Sequence, residues 1–282
     1  MFELLCEDMD ADYRRLLLHT EVRWLSKGKA LSRVFELREQ LQKFLCDRCS
    51  PLAEHFSDDS WLSKLAYLCM FMFRSLNDLN LSMQGRMADT FKLADKIAGF
   101  KAKLATWERR VNRGVFDMFS NLSSFSEEPT GLGELIHSHL TSLSDAFERY
   151  FPSAKDLRNG KGWMRDPFHN DDGRDRLPSK QEDQLIELWH DGGRKTLFDS
   201  TSLSSFWIKV SGEYNEISTL ALKTLLPFPT SYLCEAGFSA MTATKTRLRS
   251  RLNVGNILRV SLSPITPRYD VLVAGKQAQG SH

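Results

Sequence analysis

The sequence predicts a mainly α-helical chain with at most one or two short strands, and three observations carry that expectation. Apolar residues recur three and four positions apart over long stretches, the spacing of one helix face. Ser, Asp, Gly and Pro punctuate the intervals between those stretches, where helices start and stop. No strand-rich interval interrupts them: Asn77 to Gln84, polar at small intervals, lies within a helical stretch. The 282 residues suffice for a substantial core in one large or two modest domains.

Residues 2–9 read as a short helix, and Leu16-Leu17-Leu18, inside the stretch Tyr13 to His19, is the candidate strand. The chain from Leu17 then enters an amphipathic helix of about 20 residues, with Leu31, Val34, Phe35, Leu37, Leu41, Phe44 and Leu45 along one side. Asp59 or Ser60 caps the next helix, whose apolar surface continues almost all round at Tyr67 to Phe73 and is therefore central; Gly85 marks a bend. Met87 to Trp107 forms another amphipathic helix through Phe91, Leu93, Ile97, Phe100 and Leu104. Asn112-Arg113-Gly114 reads as a turn, Phe116 to Leu122 as a short element, and Leu135 to Phe147 as a helix.

Between Lys155 and Lys180 glycine, proline and mixed charges predict an irregular loop, docked by Trp163 and Phe168. Ser179 and Glu182 form a capping box that opens a helix through Leu185, Ile186 and Trp189, stopping before Gly192-Gly193. Ser204 to Val210 and Glu213 to Leu225 are further helices. After Pro227 and Pro229, Ser231 caps a helix through Leu233, Gly237, Ala240 and Met241, with Glu235 as a buried-facing carboxylate near its start and a basic ladder, Lys245, Arg247, Arg249 and Arg251, at its end. Asn256 to Val260 extends as helix, and Pro264 and Pro267 break the chain before a tail.

Composition excludes several classes. No uninterrupted apolar run spans a bilayer and the acidic N-terminus is unlike a secretory signal, so the chain reads as intracellular. A net charge of +2 leaves nucleic-acid contact to local patches. Its 5 scattered cysteines read as free thiols. Cys46 and Cys49 with His55 supply three zinc ligands, but no second pair follows. His137 and His139 are two apart and point to different sides of a helix, as surface histidines. Asp171, Asp172 and Asp175 lack the calcium-loop spacing, and Arg174 and Arg176 offset them. There is no glycine-rich phosphate cradle, nucleophile elbow or metalloprotease helix motif. The basic ladder itself reads either as a solvated helix end complementing the macrodipole or as a phosphate contact.

Three blocks together resemble the hAT superfamily of DNA transposases and the host genes derived from them, similar to the vertebrate BED-zinc-finger and SCAN-domain transposase-derived proteins. They are Leu16 to Arg38, with Arg23-Trp24-Leu25-Ser26; Trp61 to Leu68 with Leu76 to Gly85; and Pro227 to Leu252. The resemblance covers nearly the whole chain and implies three segments: 1–45, a remnant of an RNase H-like core and the entry to an insertion; 46–212, an α-helical insertion domain with its irregular loop near 155–180; and 213–282, the C-terminal dimerisation region.

In that family two aspartates and one glutamate bind metal ions for strand cleavage and transfer. Glu235 matches the glutamate, and Arg23-Trp24-Leu25-Ser26 matches an Arg-Trp-x-Ser block whose Trp handles the transposon end. Both family aspartates precede that block by long distances. Here only 22 residues precede Arg23, carrying Asp8, Asp10 and Asp12 without strand context, and the family's Cys-x-x-His motif and BED finger are absent. The expectation is a truncated, catalytically inactive remnant with a vestigial Glu235, no cofactor, no metal and no small-molecule substrate. It self-associates as a homodimer through Leu233, Phe238, Met241, Leu248, Leu252 and Leu258, in the nucleus or alternatively the cytoplasm. Arg23, Trp24, Lys245, Arg247, Arg249 and Arg251 are the candidates for weak DNA contact. The alternatives are a nonspecific DNA-binding fragment and an inherited remnant without a selected role.

Overall fold

A computed structural model describes residues 1–17, 24–85, 88–119, 122, 131–169, 172–227, 229–245, 253–263 and 268–274. Of these, 74% are helical and none is in a strand, as the apolar periodicity predicts. Leu16 and Leu17 are irregular backbone; Leu18 and His19, the rest of the candidate strand, lie outside the described residues. By packing the chain forms two compact units, Met1–Pro229 and Thr230–His282. No described helix is long and apolar enough to cross a membrane.

The first unit begins with α1 (Phe2–Asp8), α2 (Trp24–Glu36) and α3 (Arg38–Asp47). The single long helix expected over this stretch is two, broken at Leu37. Leu37 is buried with Cys6 and Leu41, while Phe35 packs instead against Leu65, Ala66 and Cys69. Residues two apart point to different sides of a helix, so Phe35 and Leu37 reach separate clusters, and at Leu37 the backbone leaves helical geometry with φ −95° and ψ 16°.

A 3₁₀ turn (Pro51–Ser57) leads into α4 (Asp59–Tyr67). The cap is Asp58, whose carboxylate accepts the Ser60 amide at 2.8 Å, rather than Asp59 or Ser60. A π-helical turn, Leu68–Phe73, continues into α5 (Arg74–Met83). It lies against α2 at Gly28, where an added Cβ would stand 2.6 Å from the Phe73 Cβ. Tyr67 and Cys69 are each 1% exposed, so this stretch is central, as its all-round apolar surface implies.

Next come α6 (Thr90–Val111), capped by the Asp89 carboxylate on the Lys92 amide at 2.8 Å, and α7 (Leu132–Tyr150). They pack through Phe100, Leu104, Ile136 and Leu140 in a core shared with Tyr67 and Phe119. His137 and His139 lie partly buried on α7 rather than on the surface. The His139 ring meets Tyr67 edge-on at 5.8 Å, and desolvation holds its pKa below the usual value. Phe116 to Leu122 is not a regular helix over its described residues.

The 155–180 segment is irregular apart from α8 (Gly162–Arg165) and short 3₁₀ turns, and Trp163 and Phe168 dock it, 1% and 5% exposed. They enter a core with α9 (Ser179–His190), α11 (Leu203–Val210) and α12 (Asn215–Leu225), flanked by α10 (Gly192–Asp199). The Trp207 indole N–H donates to the Met164 carbonyl at 2.9 Å. Ser179 is not a cap: it is the first helical residue of α9, and the Pro178 carbonyl accepts the Gln181 and Glu182 amides. Proline at the cap position fixes the entering backbone, and Glu182 faces Arg174 at 3.6 Å instead.

The end of α7 is pinned to α6. Lys101 reaches Glu148, the Phe151 carbonyl (3.0 Å) and the Ser153 hydroxyl (2.9 Å). Lys101 first, then the Ser153 amide and hydroxyl, hold the Glu148 carboxyl down to about 2. A folded-state pKa below the unfolded value stabilises fully above the unfolded pKa and less as pH falls toward the folded one.

Glu148→Gln is therefore expected to destabilise the chain at pH 7, with the difference from wild type shrinking as pH falls from about 4.5 toward about 2; urea melts at several pH values measure this, and a pH-independent difference would refute it. Gly28→Ala is expected to cost about 1–3 kcal/mol by overpacking α2 on the π turn, seen as a lower urea midpoint at unchanged slope.

Candidate functional site

The second unit holds the third resembling block from Thr230 onward. Its helices are α13 (Tyr232–Thr244), α14 (Gly255–Leu262) and α15 (Tyr269–Ala274); the last was missed because Pro264 and Pro267 read as the start of a tail. α14 packs on α13. Ser231 stands at the N-cap position but its hydroxyl makes no capping bond: it donates to Glu235 Oε1 at 2.7 Å. Glu235 is exposed, not buried-facing, because no residue of α13 is buried.

An exposed carboxylate held by a neighbouring serine has one charge to offer, whereas a two-metal site needs several converging carboxylates. Among the described residues no group of three or more His, Cys, Asp or Glu is placed to hold a metal ion. Asp8 ends α1 and Asp10 sits in a left-handed turn at φ 51°, so neither has strand context.

Of the candidate DNA contacts, Lys245 is described and exposed, its amide donating to the Met241 carbonyl at 2.7 Å. Trp24 is the first residue of α2, with its side chain outside the described residues; Arg23, Arg247, Arg249 and Arg251 also lie outside them. No phosphate-binding cluster can be built from what is described.

The apolar candidates fare differently. Phe238 is 65% exposed, and Leu233, Met241 and Leu258 are partly buried; Leu248 and Leu252 lie outside the described residues. Sequence reading missed Val260 on α14 and Val271 and Val273 on α15, exposed by 61%, 57% and 70%. Periodicity held a signal at Ile257 and Val260, but a short valine-rich segment beyond two prolines gave none. α13 carries apolar residues over most of its circumference, from Tyr232 and Leu233 through Ala236 and Phe238 to Met241, with Glu235, Ser239 and Thr242 on the remaining stripe. An apolar side that wide normally packs against a core, yet neither α13 nor α14 has a buried residue.

Residues 1–112 match the family model of the FAM200/GTF2IRD2 helical domain, a stretch ending one residue beyond α6. The chain is also 31% identical over 255 residues to General transcription factor II-I repeat domain-containing protein 2 of Bos taurus, an alignment covering 89% of this chain and 26% of that protein. It thus spans about a quarter of that relative's length. No solved structure matches. These likenesses support the coarser part of the sequence resemblance, a transposase-derived protein.

The cysteines report on these surfaces. Cys46, Cys49 and Cys234 are exposed, and Cys6 and Cys69 buried; burial pushes the Cys69 thiol up to about 12. A disulfide reagent is expected to titrate three thiols quickly in the folded chain and all five after denaturation; five fast thiols in the folded chain would contradict the packing.

Proposed function

We propose that this chain is a non-enzymatic, hAT-transposase-derived protein that self-associates through residues 230–282 and serves a nuclear role. The exposed apolar surface of α13 carries the reading. Phe238 stands 65% exposed on a helix with no buried residue, and contiguous apolar surface of this kind marks an interaction site. A second copy is the occupant that the resemblance to the hAT C-terminal dimerisation region implies. Leu233, Met241 and Leu258 then belong to the same surface, joined by the exposed Val260 of α14, the helix packed on α13.

Catalytic inactivity rests on the chain's own residues: Glu235 is the one carboxylate matching the family triad, and its partner is a serine hydroxyl. The nuclear role is supported by similarity to a protein whose name is that of a general transcription factor repeat-domain protein. The proposed segments keep the sequence boundaries 1–45, 46–212 and 213–282, with one refinement: α12 packs into the first unit, so the associating surface begins at Thr230.

Size-exclusion with light scattering at micromolar concentration is expected to give twice the 32.3 kDa chain mass. Burying a phenylalanine contributes about 1.5–3 kcal/mol and a homodimer buries two, so Phe238→Glu is expected to weaken association by roughly 100-fold or more without loss of helix content. A strictly monomeric wild-type chain would end the proposal.

A further inference from the structure

A different surface, in the first unit, carries an inference independent of self-association. Between α5 and α6 runs an open groove of about 1060 Å³. Its floor is apolar: Leu79 and Met83 come from α5, and Leu93, Phe100 and Trp107 from α6. Those three α6 residues are seven apart, on a single stripe of the helix. Phe100 is buried, while Leu79, Met83, Leu93 and Trp107 remain partly open.

The α6 wall is cationic. Lys96 and Lys103, again seven apart, line the groove beside that stripe and are exposed. Neither makes an ion pair among the described residues, whereas Lys92 lies 3.3 Å from Asp89. The one carboxylate on this wall, Asp95, is already held by Arg158 at 3.1 Å and Arg165 at 2.8 Å, so it does not neutralise the two lysines. Across the groove α5 contributes Asp78 and two serines, Ser75 and Ser82.

We infer that this groove binds an acidic amphipathic helix from another protein. The apolar floor takes the apolar face of the incoming helix, and Lys96 and Lys103 take carboxylates on its flank. Two residues seven apart stand about 10 Å apart along a helix axis, so the occupant presents Asp or Glu at the same spacing. From Lys92 to Trp107 the wall is about 22 Å long at 1.5 Å per residue, enough for some 15 residues of partner helix. This is helix-in-groove recognition, in which apolar anchors supply affinity and charge sets orientation and partner choice. A nucleic-acid backbone fits worse: its phosphates would face an apolar floor and the Asp78 carboxylate, and among the described lining residues the cations, Lys92, Lys96 and Lys103, all stand on α6.

The test uses the whole chain and a fluorescent 15-residue peptide with leucines at helical spacing and two glutamates seven apart. Fluorescence anisotropy is expected to show saturable binding at low salt. The double variant Lys96→Glu, Lys103→Glu is expected to weaken it about tenfold, two charge pairs having been reversed. Binding of that variant is expected to recover with a peptide in which the two glutamates are lysines. This charge-swap rescue, with unchanged circular dichroism, separates the groove from misfolding. No saturable peptide binding, or equal binding by wild type and double variant, would overturn the inference. So would a labelled DNA duplex that binds where the peptide does not and is lost on the same charge reversal.

Discussion

The buried hydrogen bond from the Trp207 indole to the Met164 carbonyl is the contact on which most of the first unit's C-terminal half depends. The segment that supplies the carbonyl has no helical periodicity to hold it. It is rich in glycine, proline and opposed charges, a composition that alone would leave its backbone in water. Trp163 meets Trp207 edge-on at 5.8 Å, and Phe168 meets Phe206 at 6.0 Å, so two aromatic pairs and one hydrogen bond bring an irregular segment into a helical core. An indole N–H buried without an acceptor costs about 1–3 kcal/mol, which makes the carbonyl as necessary to α11 as α11 is to the loop. Gly173 completes the fit: at φ +81° a Cβ there would fall 2.0 Å from the Gly160 carbonyl oxygen, so two turns of the segment cross where no side chain fits.

The same segment carries the charges that fasten it to α6. Asp156 is held on Arg158, which keeps its carboxyl below the usual range, and Arg158 reaches Asp95 in turn. Partly exposed pairs such as these contribute little singly, but here they close a loop already anchored by its aromatics. They also leave Lys96 and Lys103, on the groove side of α6, without an ion pair among the described residues. The groove's electrostatics are thus set by how the loop docks.

Much of this was legible in sequence. Large aromatics inside a Gly/Pro-rich segment have few reasons to be there except as anchors, and Trp163 and Phe168 are anchors. An apolar run continuing all round, as at Tyr67 to Phe73, has no water-facing side and must be central. What failed was decided by tertiary packing. Leu37 continues a helical pattern perfectly well, yet the backbone breaks there, at φ −95° and ψ 16°, a change that apolar spacing does not register. Ser179 and Glu182 satisfy a capping box on paper, but Pro178 has already fixed the helix entry. Glu235 looked buried because its neighbours are apolar; in the structure those neighbours are themselves uncovered. Periodicity reports which residues share a face, not whether anything covers that face.

That distinction separates the two surfaces physically. The face of α13 is apolar without direction: it offers area and few charges, so its affinity comes from removing surface from water, a term largely indifferent to screening and strengthened by excluded salts. The α5/α6 groove combines a narrower apolar floor with a fixed cationic edge, so its selectivity comes from charge and fades over a Debye length of about 8 Å at physiological ionic strength. A symmetric partner suits the first, since two copies present the same face and need no sign complementarity. It does not suit the second, because two identical cationic edges repel. The proposed self-association would draw on area at the first surface, and an acidic helical partner would draw on charge at the second.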